Sequence, residues 1–159
     1  MNVRPAALAS IPIVAVLALA AFAQNEGPKP QMLKINAKML VTPEELKWTP
    51  LAGIPGAEVA QLVGDPAKEA HRAFFKYPVG LKSPPHTHTF GDRGVIVSGM
   101  LSLAVDGAPA KKLAPGSFFS IPAGTPHITT VEGDKPCVFF MEREGMFDVV
   151  AVEAGAKKQ

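Results

Sequence analysis

Gly80-Leu81-Lys82-Ser83-Pro84-Pro85-His86-Thr87-His88, with Asp92 and Gly99 following it, is the stretch whose reading settles the fold. His86 and His88 stand two residues apart, and on a strand that spacing puts both imidazoles on one face. Two neutral imidazoles on one face form half of a transition-metal site. Pro84-Pro85 stiffens the approach and holds the chain extended. A second segment runs Gly116-Ser117-Phe118-Phe119-Ser120-Ile121-Pro122-Ala123-Gly124-Thr125-Pro126-His127. Its strand ends at Pro122, turns at Ala123-Gly124 and returns with His127. In a closed barrel such a hairpin can deliver a third imidazole to the same point. The chain has four histidines, and three of them lie in these two segments.

The text on either side is strands and turns. Strands are expected at Ala57–Val63, His71–Pro78, Gly94–Ser98, Leu101–Val105, Ser117–Ile121, His127–Val131, Val138–Glu142 and Phe147–Val152. Gly64-Asp65-Pro66, Val79-Gly80, Gly99-Met100 and Asp106-Gly107 separate them as turns. Thr42-Pro43-Glu44-Glu45 reads as one helical turn with a capping box. No amphipathic helix of any length interrupts the pattern, which is that of an all-β sandwich or barrel.

Composition narrows the class. The 159 residues suit one domain, and 47% apolar content fills one barrel core. Sixteen prolines and fourteen glycines fit many short strands. The formal charge of +2 leaves no basic face, so nucleic acid is excluded as a partner. In residues 1–23, Met1 to Arg4 carry one positive charge, Pro5 to Ala23 form an uncharged, mostly apolar run, and the segment ends Ala21-Phe22-Ala23 before Gln24-Asn25-Glu26. That is the pattern of a signal peptide cleaved after Ala23. Export follows, to the periplasm or outside the cell, with no membrane association once the leader is removed. An uncleaved anchor is the competing reading of the same run. Residues 24–34 then read as a flexible linker, 35–155 as the barrel domain and 156–159 as a tail.

The two His-bearing segments resemble the paired motifs of the cupin superfamily. Gly80, His86, His88, Asp92 and Gly99 fall at the intervals of the first cupin motif, and Gly116, Pro122, Gly124 and His127 at those of the second. Lys47-Trp48-Thr49-Pro50 and Val63-Gly64-Asp65-Pro66 also resemble stretches of small exported bacterial cupins that generally lack an assigned reaction. The resemblance implies a single jelly-roll β-barrel. It implies one divalent transition metal, Fe, Mn, Zn, Ni or Cu, held by His86, His88, Asp92 and His127. In the family the acid is usually Glu. Asp92 is one methylene shorter, so its carboxylate either binds directly or acts through water or a histidine.

Two functions are consistent with such a site. One is a small metalloenzyme, dioxygenase-like, acting on a small polar organic molecule. The other is an exported protein that binds a metal or small ligand without turnover. A small-molecule ligand or substrate is the expected partner, and a homodimer stays open. No catalytic side chain beyond the ligands stands out. Tyr77 and Cys137 are expected to pack in the core, and Trp48 in the core or as part of a lid. Arg72, Arg93 and Arg143 are expected as solvated strand residues, Glu142 and Glu144 as an exposed strand end, and His71 as a surface or strand histidine.

Overall fold

The computed structural model describes residues 40–152. The expected leader, linker and tail lie outside the described residues. Eleven strands follow a single 3-10 turn at Pro43–Glu45, where the Glu45 carboxylate accepts from the Thr42 N–H as the capping box requires. They are β1 (Trp48–Pro50), β2 (Glu58–Val63), β3 (His71–Tyr77), β4 (His86–Thr87), β5 (Asp92–Ser98), β6 (Met100–Val105), β7 (Lys111–Leu113), β8 (Phe118–Ile121), β9 (His127–Glu132), β10 (Cys137–Arg143) and β11 (Val150–Ala151). β1, β4 and β7 are too short to carry a period and are absent from the expected set. The expected strand over Phe147–Val152 shrinks to Val150–Ala151. Its first residues form a loop instead, in which the Phe147 N–H donates to Pro66 O.

The strands form two antiparallel sheets, one of six strands in the order β1-β2-β3-β10-β5-β8 and one of five in the order β11-β4-β9-β6-β7. Together they make the jelly-roll β-barrel expected from the sequence. Alternation along each strand decides what faces inward. In β10 the buried positions are Cys137, Phe139, Met141 and Arg143. The interior packs Phe75, Phe139 and Ile96 of the larger sheet against Leu101, Leu103 and Val131 of the smaller one. Phe75 and Phe139 stack with ring centroids 5.6 Å apart. Cys137 is fully buried among these groups and burial pushes its thiol up to about 11, so it behaves as a small hydrophobe.

Gly99 explains how the sheets connect. β5 belongs to one sheet and β6 to the other, and Gly99 is the single residue between them. It has φ 74°, and a Cβ there would run into the Pro136 carbonyl and the Cα of Cys137. Only glycine turns this corner without strain.

Candidate metal centre

β4 and β9 pair with His86 directly opposite His127. Their inward side chains therefore meet across the ladder, with ring centroids 4.2 Å apart. His88 follows β4 by one residue and joins them, its centroid 4.9 Å from His86 and 5.0 Å from His127. One ligand atom from each of the three histidines lies within 4.8 Å of the others. All three side chains are buried.

Backbone carbonyls fix the tautomer of each ring. His86 Nδ1 lies 2.9 Å from Pro84 O, His127 Nδ1 lies 3.0 Å from Thr125 O, and His88 Nδ1 meets Asp148 O. A carbonyl can only accept, so each Nδ1 carries the proton and each Nε2 is left with a bare lone pair. Pro84 and Thr125 each stand two residues before their histidine. Burial holds all three imidazoles below the ordinary value of 6.5, His88 down to about 3. Three neutral imidazoles with their donor atoms turned to one buried point are the donor set that Fe, Zn, Ni or Cu selects. The residues present thus fit a divalent transition metal.

Asp92 opens β5, in the opposite sheet, and does not join the three-imidazole group. Its two oxygens have different surroundings. Arg143 Nε donates to Oδ1 at 2.6 Å, and Nη2 lies against the same oxygen without an aligned hydrogen bond. Oδ2 instead lies 3.3 Å from His88 Nε2. Because the His88 proton sits on Nδ1, that contact needs a proton on Asp92 or a cation beside both atoms. Burial raises the Asp92 carboxyl, and the Arg143 guanidinium opposes the rise.

Arg143 is the main departure from the expected arrangement. It is buried, with its side chain wholly out of solvent. Besides Asp92 it reaches Asp148 Oδ1 at 3.4 Å, and its guanidinium lies 4.7 Å from the Phe147 ring centroid. Asp148 in turn accepts from the Thr89 N–H with both carboxylate oxygens, while its carbonyl accepts from the His88 Nδ1–H. One cation therefore braces the carboxylate beside His88 and the loop that orients His88. The alternation of β10 could have revealed Arg143, because it shares a face with Phe139 and Met141. Nothing in the sequence marks Asp148, which lies 60 residues from His88.

His71 is likewise buried and sits opposite Arg143 at the same end of the sheet. Its Nδ1 faces Gly145 O at 3.0 Å, its Nε2 has no partner, and burial lowers its pKa. Arg72 and Arg93 stay at the surface and pair with Glu142 and Glu144. Tyr77 packs edge-on against Phe139 at 4.9 Å and burial pushes its phenol up. A cavity of about 490 Å³ extends from the three histidines through the barrel to its mouth.

The fold is the cupin fold, with three histidines converging at the positions of both motifs. The chain belongs to the family described as a domain of unknown function (DUF4437), whose model matches residues 39–159. No curated protein matches the sequence. Among solved structures it is similar to the polyketide cyclase RemF from Streptomyces resistomycificus, at 21% identity and a TM-score of 0.59, over 74% of this chain and 87% of that one. It is similar to a predicted oxalate decarboxylase from Thermotoga maritima at 20% identity and a TM-score of 0.56, over 68% of this chain and 100% of that one. An RmlC-like cupin from Shewanella frigidimarina matches at 17% identity and a TM-score of 0.53, over 68% and 92%. At these identities the likeness is one of fold.

Proposed function

We propose that the protein is a metal-dependent cupin, a small metalloenzyme of the dioxygenase-like kind, with one divalent transition metal held by His86, His88 and His127. The observation that carries this is the set of three Nδ1–carbonyl contacts, which leaves three Nε2 lone pairs facing one buried point. Asp92 is the fourth donor in this reading. Arg143 occupies Oδ1, so Oδ2 is the oxygen free to turn to the metal beside His88. Such an ion supplies Lewis acidity, and with iron it also supplies oxygen chemistry. The chain's own part is to hold the imidazoles neutral and oriented and to shield the centre behind an apolar wall. The similar folds include a polyketide cyclase and a predicted oxalate decarboxylase, so fold alone does not choose the reaction.

Metal analysis followed by oxygen-uptake screening tests this reading. Purified protein should hold about one transition metal per chain. His86→Ala, His88→Ala and His127→Ala should each lower occupancy sharply, and His71→Ala should leave it unchanged. Equal content in all four variants would sink the assignment. A metal-bound structure with the Asp92 oxygens well beyond about 2.2 Å from the ion would remove Asp92 from the ligand set. The second reading, binding without turnover, is favoured by Arg143, because it engages Asp92, the one carboxylate that lines the cavity among the described residues and could serve as a general base. Metal retention without oxygen uptake on any substrate would favour it. Export belongs to the same proposal and rests on residues 1–23. The exported form should begin at Gln24 by N-terminal sequencing, whereas Met1 retained on a membrane fraction would indicate an anchor.

A further inference from the structure

We infer that the barrel takes a ligand with a compact oxygen-bearing head and a largely apolar body, about the size of a fused two-ring system or an equivalent alkyl group. The inference rests on the metal-site reading for the head alone; the body is read from the cavity. It replaces the small polar organic molecule expected from the sequence with a larger, mostly apolar one.

Polarity inside the cavity is concentrated at one end. His86, His88, His127 and Asp92 line that end. Phe147 packs against His88 beside it, and the wall beyond is mainly Leu101, Leu103, Phe119, Phe139 and Met141. The apolar character continues to the mouth, where Ile54, Val79 and Val149 line the opening and the two valines are about half exposed. Exposed valines at the rim of a concave site are what an apolar ligand would cover.

The other polar side chains along the wall are Tyr77, Lys82, Ser83 and Thr129, few against the apolar ones. Ser83 Oγ accepts from the Thr129 N–H. Lys82 is the one cationic side chain lining the cavity among the described residues, and it is exposed. Arg143 is turned to Asp92 and Asp148 and does not line the cavity. A polyhydroxylated or multiply charged ligand would therefore bury its polar groups against Leu, Phe and Met. Each such group without a partner costs about 1–3 kcal/mol. An apolar body gains from the same wall instead. Size follows from volume. A cavity of about 150 Å³ accommodates one benzene, and this one has about 490 Å³. That is room for a two-ring body plus a metal-binding head.

A ligand series with one constant head separates the two parts. Full-length protein loaded with Co(II) is titrated with acetohydroxamate, benzohydroxamate, 2-naphthohydroxamate and gluconohydroxamate. Kd is read from the visible Co(II) spectrum and by calorimetry. The expected result is a gain of about tenfold for each added ring, with gluconohydroxamate no tighter than acetohydroxamate. A flat series, or gluconohydroxamate as the tightest binder, would overturn the inference. Leu103→Phe takes volume from the cavity and should remove the gain for 2-naphthohydroxamate while leaving acetohydroxamate unchanged. If that variant does not fold, the wild-type series still decides. If Co(II) is not taken up, the metal reading has failed and the body is tested alone, with 2-naphthol on metal-free protein. Binding below millimolar concentration, weakened by Leu103→Phe, supports the apolar cavity; no binding overturns it.

Discussion

Asp92 and Arg143 form an ion pair between two side chains that are almost wholly buried. Removing one partner of such a pair leaves a charge in a medium that cannot solvate it, at about 3–5 kcal/mol. Arg143→Met should therefore destabilise the fold by about that amount in urea unfolding. Arg143→Met with Asp92→Asn should recover part of the loss, because neither charge then remains unpaired. Arg143→Lys should fall between, since one ammonium cannot span Asp92 and Asp148 as the planar fork does. Additive losses in the double variant would show that the two side chains act independently. The three histidines were legible in the sequence because short-range spacing encodes them. The brace behind them was not, because Asp148 reaches His88 only through the closed barrel. Arg143 misled for another reason. Its charge suggests solvent, while its place in the alternation of β10 puts it inside, and the Asp92 carboxylate lets the alternation prevail.

Strands are legible where they are long enough to alternate. β3, with burial at every second residue from His71 to Tyr77, begins where the sequence placed it. β4 is two residues long and owes its existence to partners on both sides, His127 and Ala151, that only the folded chain supplies. Turns are the other legible feature, and glycine carries them. Gly99 and Gly107 both have positive φ, 74° and 77°, but only Gly99 is crowded by other backbone. Gly107→Ala should cost about 1–2 kcal/mol, the backbone penalty alone. Gly99→Ala adds a collision with Pro136 and Cys137, which must separate β5 and β6 from the start of β10. Its loss should exceed that of Gly107→Ala by at least about 1 kcal/mol in urea unfolding. Equal losses would mean that the corner can open at little cost.

At the scale of the molecule, the buried histidines couple stability to pH. Burial lowers His71, His86 and His127 below 6.5 and takes His88 to about 3. In the unfolded chain all four take up a proton as pH falls through about 6.5. The folded, metal-free barrel resists, so the unfolded state binds more protons and stability falls with pH. This contribution is fully present above about 6.5 and is lost progressively toward each folded-state value, for His88 down to about 3. Each histidine adds at most about 1.4 kcal/mol per pH unit within its window. Asp92 works the other way. Its carboxyl is raised, so the folded state holds a proton that the unfolded state has released, and that effect stabilises in acid. Four histidines act against this one carboxyl, so their sum sets the sign between pH 7 and pH 5. Chelator-treated protein should lose stability steadily from pH 7 to pH 5 by urea unfolding. His71→Asn, which keeps a donor for Gly145 O, should lose less over the same interval by about one histidine's share. Metal-loaded protein should be more stable at pH 7, by RT ln(1 + [metal]/Kd), and should fall more steeply as protons compete for the three Nε2 atoms. A metal-free protein equally stable at pH 7 and pH 5 would mean that the imidazoles are solvated in solution. The closed, neutral three-histidine centre would fall with it.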